Sequence, residues 1–267
     1  MSNIKLYLLF FKTYLKVKSE YRFSFFMDLF SQFSTFAITY LSIWILFGRF
    51  KDINGWNFYE VVFLYNINLF SYGLAGLFFF NPLRFLEEMI HSGEFDCLMH
   101  KPMSVFMHLI CRRFNQSYLG YLILGIIVFR FCMDKLNIIW TVANVIWFII
   151  VMAGAFLIQA SIIIISGTTG FWLTRSASVT ETIVHRFRSF ITYPVSIYNT
   201  FVQILLTFVI PYAFVNYYPG IYFLDREDSS LFSPYFQYLT PVVGIVLMIL
   251  AMGFWRIGMN RYQSTGS

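Results

Sequence analysis

Charge is what this sequence has least of. Only 12% of its 267 residues are Asp, Glu, Lys or Arg, against 58% hydrophobic and 22% aromatic. A soluble domain carries about 25% charged residues, so composition alone points to a membrane-embedded chain. Cysteine is equally sparse. Cys97, Cys111 and Cys132 are odd in number and scattered, which excludes a disulfide framework. Sites of chemistry are missing too. No G-x-x-x-x-G-K-[ST] stretch occurs, so the chain has no phosphate-cradling loop for ATP. It holds no H-E-x-x-H, no nucleophile elbow and no paired carboxylates within its apolar runs. Low-complexity blocks, long linkers and internal repeats are absent as well, so the chain reads as one domain.

What is present is apolar length. Runs near 23–47, 59–80, 114–131, 138–166, 196–217 and 241–255 are long enough to be helical spans, the last being short. Only helices satisfy their own backbone in lipid at such lengths. The expected fold is therefore all-α and integral to the membrane, with six transmembrane helices. The net charge of +6 would suggest nucleic acid in a soluble protein. In a membrane chain it sets topology instead. With the N-terminus in the cytoplasm, that side holds Lys5, Lys12, Lys16, Lys18 and Arg22, then Arg84, Lys101, Arg112 and Arg113, then Arg175, Arg186 and Arg188, then Arg256 and Arg261. The outer side keeps Arg49, Lys51, Arg130, Lys135 and Arg226. Both termini are thus expected in the cytoplasm.

Ahead of the first run, Leu6, Leu9, Phe10, Thr13 and Val17 share one helical face while the lysines take others. Residues 1–22 read as an amphipathic helix lying in the interface, with residues 23–267 as the membrane-spanning bundle. No small-residue cleavage site follows the basic stretch, so it is expected to be retained.

The polar residues concentrate in a cytoplasmic segment over 81–113. Asn81-Pro82 is a helix-start signal, and Gly93 is a stop. Leu83, Leu86, Met89 and Ile90 make an apolar stripe, with Arg84, Glu87, Glu88 and His91 facing away. A helix that rests on lipid heads carries a basic polar face. This one mixes acids with bases, which suits a protein partner. Cys97, His100, His108 and Cys111 have zinc-compatible spacing, but their flanks are apolar and the cysteines read as small hydrophobes.

A second cytoplasmic segment is expected over 173–195. Ser178 and Glu181 match a capping box, and Val179, Ile183, Phe187 and Phe190 fall on one face. The helix should end near Tyr193-Pro194. Two spans carry polar stripes: Asp28, Gln32, Thr35, Thr39 and Ser42 in the first, and Ser196, Thr200, Gln203 and Thr207 in the fifth. Such stripes glue helices together or wall a substrate path. The external loop over 218–240 has an acidic tip at Asp225, Glu227 and Asp228 and can dip back into the membrane edge as a re-entrant cap.

At this point the chain resembles the membrane subunit of bacterial ABC transporters of the type-2 permease class, in its compact six-helix branch. The branch's G-E-[LF]-D-x-x-L-L-[RK]-P pattern stands here as Gly93, Glu94, Phe95, Asp96, Met99, Lys101 and Pro102, with Met99 and His100 replacing the two leucines. Tyr193-Pro194, Ile210-Pro211 and Tyr218-Pro219 look like its fifth-span punctuation, and Phe254-Trp255, Gly258, Arg261-Tyr262 and Ser264 like its C-terminal signature. The resemblance implies a permease subunit of an ATP-driven exporter, not itself an enzyme, in the bacterial cytoplasmic membrane. It implies a coupling helix carrying Arg84, Glu87, Glu88, His91, Gly93, Glu94, Asp96 and Lys101, seated in an ATPase groove. It implies two copies of a partner ATPase holding ATP and Mg, and a second permease, identical or related. No nucleic acid is implied, and no cofactor in this chain. Ser196, Thr200, Gln203 and Thr207 would then flank the substrate path. The competing readings are a non-transport multispan protein, such as a sensor or assembly factor, and a membrane-embedded enzyme acting on lipid.

Overall fold

A computed structural model describes residues 22–101, 104–112, 115–136, 138–226 and 232–262. The interfacial helix expected over 1–22 falls outside these residues except for Arg22, as do Glu227, Asp228 and the side chain of Asp28. Among the described residues no β-strand forms; an isolated bridge joins Ile53 and Trp56. Five helices are long and apolar enough to cross a membrane, and a sixth crossing is possible if one sharply bent pair counts as a span.

Helix α1 (Arg22–Arg49) lies at the edge. Phe36 and Ile43, seven apart on one face, are its buried apolar positions, while Phe30, Phe33, Ile38, Leu41 and Trp44 stay exposed. That is the pattern of a helix with a narrow protein face and a broad apolar one. Gln32 of the polar stripe accepts from the Tyr121 hydroxyl at 2.9 Å. Thr35, Thr39 and Ser42 donate to their own helix backbone, four residues back. This stripe binds helices and its own backbone.

Helix α2 (Phe58–Ala75) is the centre of the bundle and is buried on nearly every face. Asn57 starts it with a complete capping box: it accepts from Glu60 N, and the Glu60 carboxylate accepts from Asn57 N. Its end is not where the sequence suggests. α2 passes through a π-helical turn (Gly76–Phe80) into α3 (Asn81–Arg84) and α4 (Leu86–His91). Together they form one apolar helical unit of 34 residues, Phe58–His91. Asn81 is therefore no N-cap, and its backbone is helical at φ −62°, ψ −47°. Pro82 has no N–H for the Phe78 carbonyl, and its ring would crowd that carbonyl. The π turn just ahead of it opens the helix enough to continue. Gly93 does end the run, at φ 72°, a left-handed conformation that disfavours any residue with a Cβ.

After α5 (Glu94–Met99) and α6 (Val105–Arg112), the chain returns through a short 3-10 turn (Gln116–Tyr118) into α7 (Leu119–Met133). Helix α8 (Val142–Thr168) follows, capped by the Thr141 hydroxyl. It packs closely on the last helix, α12 (Thr240–Arg261). Gly154 and Gly244 face each other there, and a Cβ on Gly154 would sit 2.7 Å from Pro241 Cα. α12 is longer than the apolar run 241–255, gaining its length on the C-terminal side.

The largest departure lies between α8 and α12. The segment over 173–195, expected to hold an amphipathic helix in a second cytoplasmic loop, runs beside the whole α2 unit in the opposite direction. It comprises α9 (Ser176–Glu181), a π turn (Thr182–Phe187) and 3-10 turns (Phe190–Thr192 and Val195–Ile197). Contacts mark its course. Ser176 meets Glu87, His185 meets Phe80 and Tyr72, and the Asn216 side chain bridges the carbonyls of Ile191 and Leu64. Ser196 then accepts from Trp56 Nε1. No capping box forms at Ser178, because the helix already begins at Ser176, whose hydroxyl is turned to Glu87. Buried positions are Ser176, Thr180, Val184, Ile191, Pro194 and Val195, while the expected apolar face at Val179, Ile183, Phe187 and Phe190 is half-buried or exposed. Tyr193 ahead of Pro194 is extended, as expected.

The run 196–217 is not one straight helix. α10 (Thr200–Ile204) continues into a π turn (Leu205–Val209), and α11 (Ala213–Phe223) follows at 104° to that unit. Both ends of this bent pair return to the α1–α2 connection. Asn54 donates to the Ser196 carbonyl, and Arg226 binds Glu60 at 2.7 Å and the Gly55 carbonyl at 2.9 Å.

Candidate functional site

The end of the α2 unit presents a polar surface on an apolar base. Leu83, Leu86 and Met89 are fully buried and Ile90 nearly so. Each contributes about 1.5–3 kcal/mol by burial and so holds the opposite face in place. Arg84, Glu88 and His91 on that face are exposed, and Glu87 is half-buried. These four, with Phe85, Ser92 and Ala177, line one open depression. Glu87 is committed inside the chain: its carboxylate accepts from Ser176 Oγ at 3.0 Å and from Ala177 N at 3.3 Å. It ties the start of α9 to α4, leaving Arg84, Glu88 and His91 as the open charges of the depression.

The rest of the expected coupling set sits beyond the Gly93 turn. Phe95 is buried between Phe171 and Tyr262, at ring separations of 5.5 and 4.9 Å. Asp96 Oδ1 accepts from the Tyr262 hydroxyl at 2.7 Å. Burial, then the hydrogen bond to Asp96 and its negative charge, push this phenol up to about 12. The two sequence signatures, Gly93 to Asp96 and Arg261-Tyr262, thus form a single joint. Glu94 is half-buried, and Lys101 is exposed with Nζ 3.5 Å from His108 Nε2. Cys97 is exposed, and Cys111 is half-buried with its thiol pushed up by burial. Among the described residues no three His, Cys, Asp or Glu side chains gather as a metal site would require.

The fifth-run stripe is divided among different elements. Ser196 is in a 3-10 turn and holds Trp56 Nε1 at 3.2 Å. Gln203 donates to the Tyr198 carbonyl at 2.8 Å, and the buried Thr207 hydroxyl meets the Tyr218 hydroxyl at 2.9 Å. Thr200 is exposed at the start of α10. Three of the four therefore fasten the bent pair, and Thr200 faces outward.

Sequence reasoning missed a cluster of basic and aromatic groups midway along the Phe58–His91 unit. The Arg188 guanidinium lies 3.8 Å from the centre of the Tyr72 ring. Tyr72 bonds the Tyr118 hydroxyl at 3.0 Å, and His185 approaches edge-on at 5.9 Å. His185 also stands 5.1 Å from the Phe80 ring, which Arg84 covers at 5.8 Å. Counting Arg188 as a loop cation hid it. The available signal was the spacing of Glu181, His185 and Arg188, which share one helical face.

Comparison with curated proteins and with solved structures gave no match. A model of the ABC-2 family transporter proteins matches residues 33–266, nearly the whole chain, which therefore belongs to that family as a multi-pass permease component of an ABC transporter in the cell membrane.

Proposed function

We propose that this permease is half of an ATP-driven exporter and couples to a separate ATPase through Arg84, Glu88 and His91. The observation that carries this reading is the continuity of the Phe58–His91 unit, stopped at Gly93, with open charges of both signs at its end. A helix buried along its length moves as a body with its neighbours, so a push at its end reaches the bundle centre. An ATPase that contacts this end differently in its ATP-bound and ATP-free states would bias two arrangements of the bundle. ATP and Mg belong on that partner, present in two copies. A second permease, identical or related, completes the path.

In this reading both termini face the cytoplasm and the fifth crossing is the stretch 176–197. The bent pair over 200–223 is then a hairpin entering from the outer side, where the α1–α2 connection holds both its ends. Ser196, Thr200, Gln203 and Thr207 would line the outer part of the path, with Thr200 the open member. The joint of Glu94, Asp96 and Lys101 backs the coupling surface.

Co-purification tests the docking claim. With Arg84→Glu and Glu88→Arg combined, the ATPase recovered from mild detergent should fall about tenfold, as removal of steering and paired charges at an interface predicts, while membrane insertion is unchanged. Equal recovery would sink the coupling assignment.

A further inference from the structure

Among the described residues Arg188 is a cation without an acid. Its Nε and Nη1 are closed off from solvent and have no hydrogen-bond acceptor. Glu181, on the same face, is turned to His185 Nε2 at 3.9 Å. Among the described residues no carboxylate pairs with Arg188; its close neighbour is the face of Tyr72. Leaving a buried charge unpaired costs several kcal/mol. A desolvated cation–π contact offsets about 2 kcal/mol of that. A purely structural arginine at this place would be better replaced by an apolar residue. Charged groups kept within membrane bundles face the interior or a path and meet a partner there.

The surroundings define that partner. Nε and Nη1 are the guanidinium nitrogens left without an acceptor. Tyr72, Tyr118 and Phe80 supply aromatic walls. From the open depression at Arg84, the Phe80 ring leads to His185, and the Tyr72 ring leads on to Arg188. This is a row of basic groups packed through aromatic rings from the end of the α2 unit to its middle. An arginine fork suits the paired oxygens of a carboxylate or phosphate.

We propose that Arg188, framed by Tyr72 and His185, recognises an oxyanion, a carboxylate or phosphate group, borne on an apolar body by the molecule this permease moves. The inference rests on the permease reading for its biological meaning, but binding itself needs no ATPase.

The test uses the purified full chain in neutral maltoside detergent, with dodecyl phosphate and dodecanol as probes. The wild type should bind dodecyl phosphate at least about tenfold more tightly than dodecanol, as a charge-assisted contact predicts. Arg188→Gln should erase that preference. Arg188→Lys should retain only part of it, because a point charge lacks the fork. Competition by phenyl phosphate would identify a free anion as sufficient, and its failure to compete would assign the site to a lipid-like anion; either result upholds the site. Equal binding of the two alkyl probes by the wild type, or no binding of either, overturns the proposal. So does an unchanged preference in a monodisperse Arg188→Gln protein. Should Arg188→Gln fail to fold, unchanged phosphate affinity in Arg188→Lys overturns it instead. ATPase co-purification is scored separately, so failure of the anion site and failure of the transport reading are distinguishable.

Discussion

The Phe58–His91 unit and the stretch from Ser176 to Arg226 lie side by side and are built on opposite principles. The first is a single helical run with a full capping box at one end and a left-handed glycine just past the other. It is buried over most of its length, with Arg84, Glu88 and His91 open at its end, so its hydrogen bonds and its packing support each other. The second is a series of short α, π and 3-10 pieces, closed by a 104° bend. Its breaks are patched by side chains: Asn216 on two carbonyls, Gln203 on Tyr198, and Tyr212 on Ile183. Such pieces have fewer regular bonds to lose when they rearrange. The contrast describes a continuous element beside a broken one, as the alternation proposed above would require.

The sharpest way to break the contrast is to damage the continuous element. A Cβ at Gly76 would overlap the Tyr118 ring. Gly76→Leu should therefore cost about 3 kcal/mol by overpacking, read as a lowered unfolding temperature in detergent; an unchanged temperature would show that this face of α2 is not tightly packed. Asn57→Ala removes the cap and one half of the box and should cost about 1 kcal/mol. The same thermal scan checks it.

The joint of Phe95, Asp96 and Tyr262 should respond more weakly and with a pH signature. Tyr262→Phe removes the bond to Asp96 and should cost about 0.5–1.5 kcal/mol. A free tyrosine titrates near 10, whereas Tyr262 is held at about 12. The phenol's folded value is raised, so its contribution is complete below pH ~10 and is lost as pH climbs toward about 12. The stability gap between wild type and Tyr262→Phe should stay constant up to pH ~10 and close between there and about 12. Thr200→Val, on the exposed start of α10, should change stability by less than about 0.5 kcal/mol; an effect the size of a lost core contact would contradict its open placement.

Much of the continuous element could be read from residue order. The stripe of Leu83, Leu86, Met89 and Ile90 has helical spacing, and each of the four is buried. Gly93 stops the helix for the steric reason the sequence offers. Asn81-Pro82 misled because a helix start and a π-accommodated proline have the same local sequence. Burial of the flanking turns decides between them, and burial is a property of the whole bundle. The broken stretch was harder to read. A straight span and a bent pair have the same apolar composition, so 196–217 looked like a crossing. The polar content of 176–195 read as a cytoplasmic segment holding an amphipathic helix, although Ser176 bonds Glu87 of α4 and Arg188 lies against the Tyr72 ring of α2. The joint between Phe95 and Tyr262 connects two signatures that were recognised separately. Nothing in their order showed that they touch.

Distance measurement within the assembled complex tests the central claim most directly. Cys97 is exposed and can carry a spin label once Cys111 is replaced, and Lys51 and Thr200 are exposed sites for a second label. The pair Lys51→Cys with Cys97 reports on the length of the α2 unit, and the pair Thr200→Cys with Cys97 reports on the bent hairpin. On ATP binding by the partner, the first distance should stay constant and the second should shift. A first distance that changes as much as the second would contradict the account.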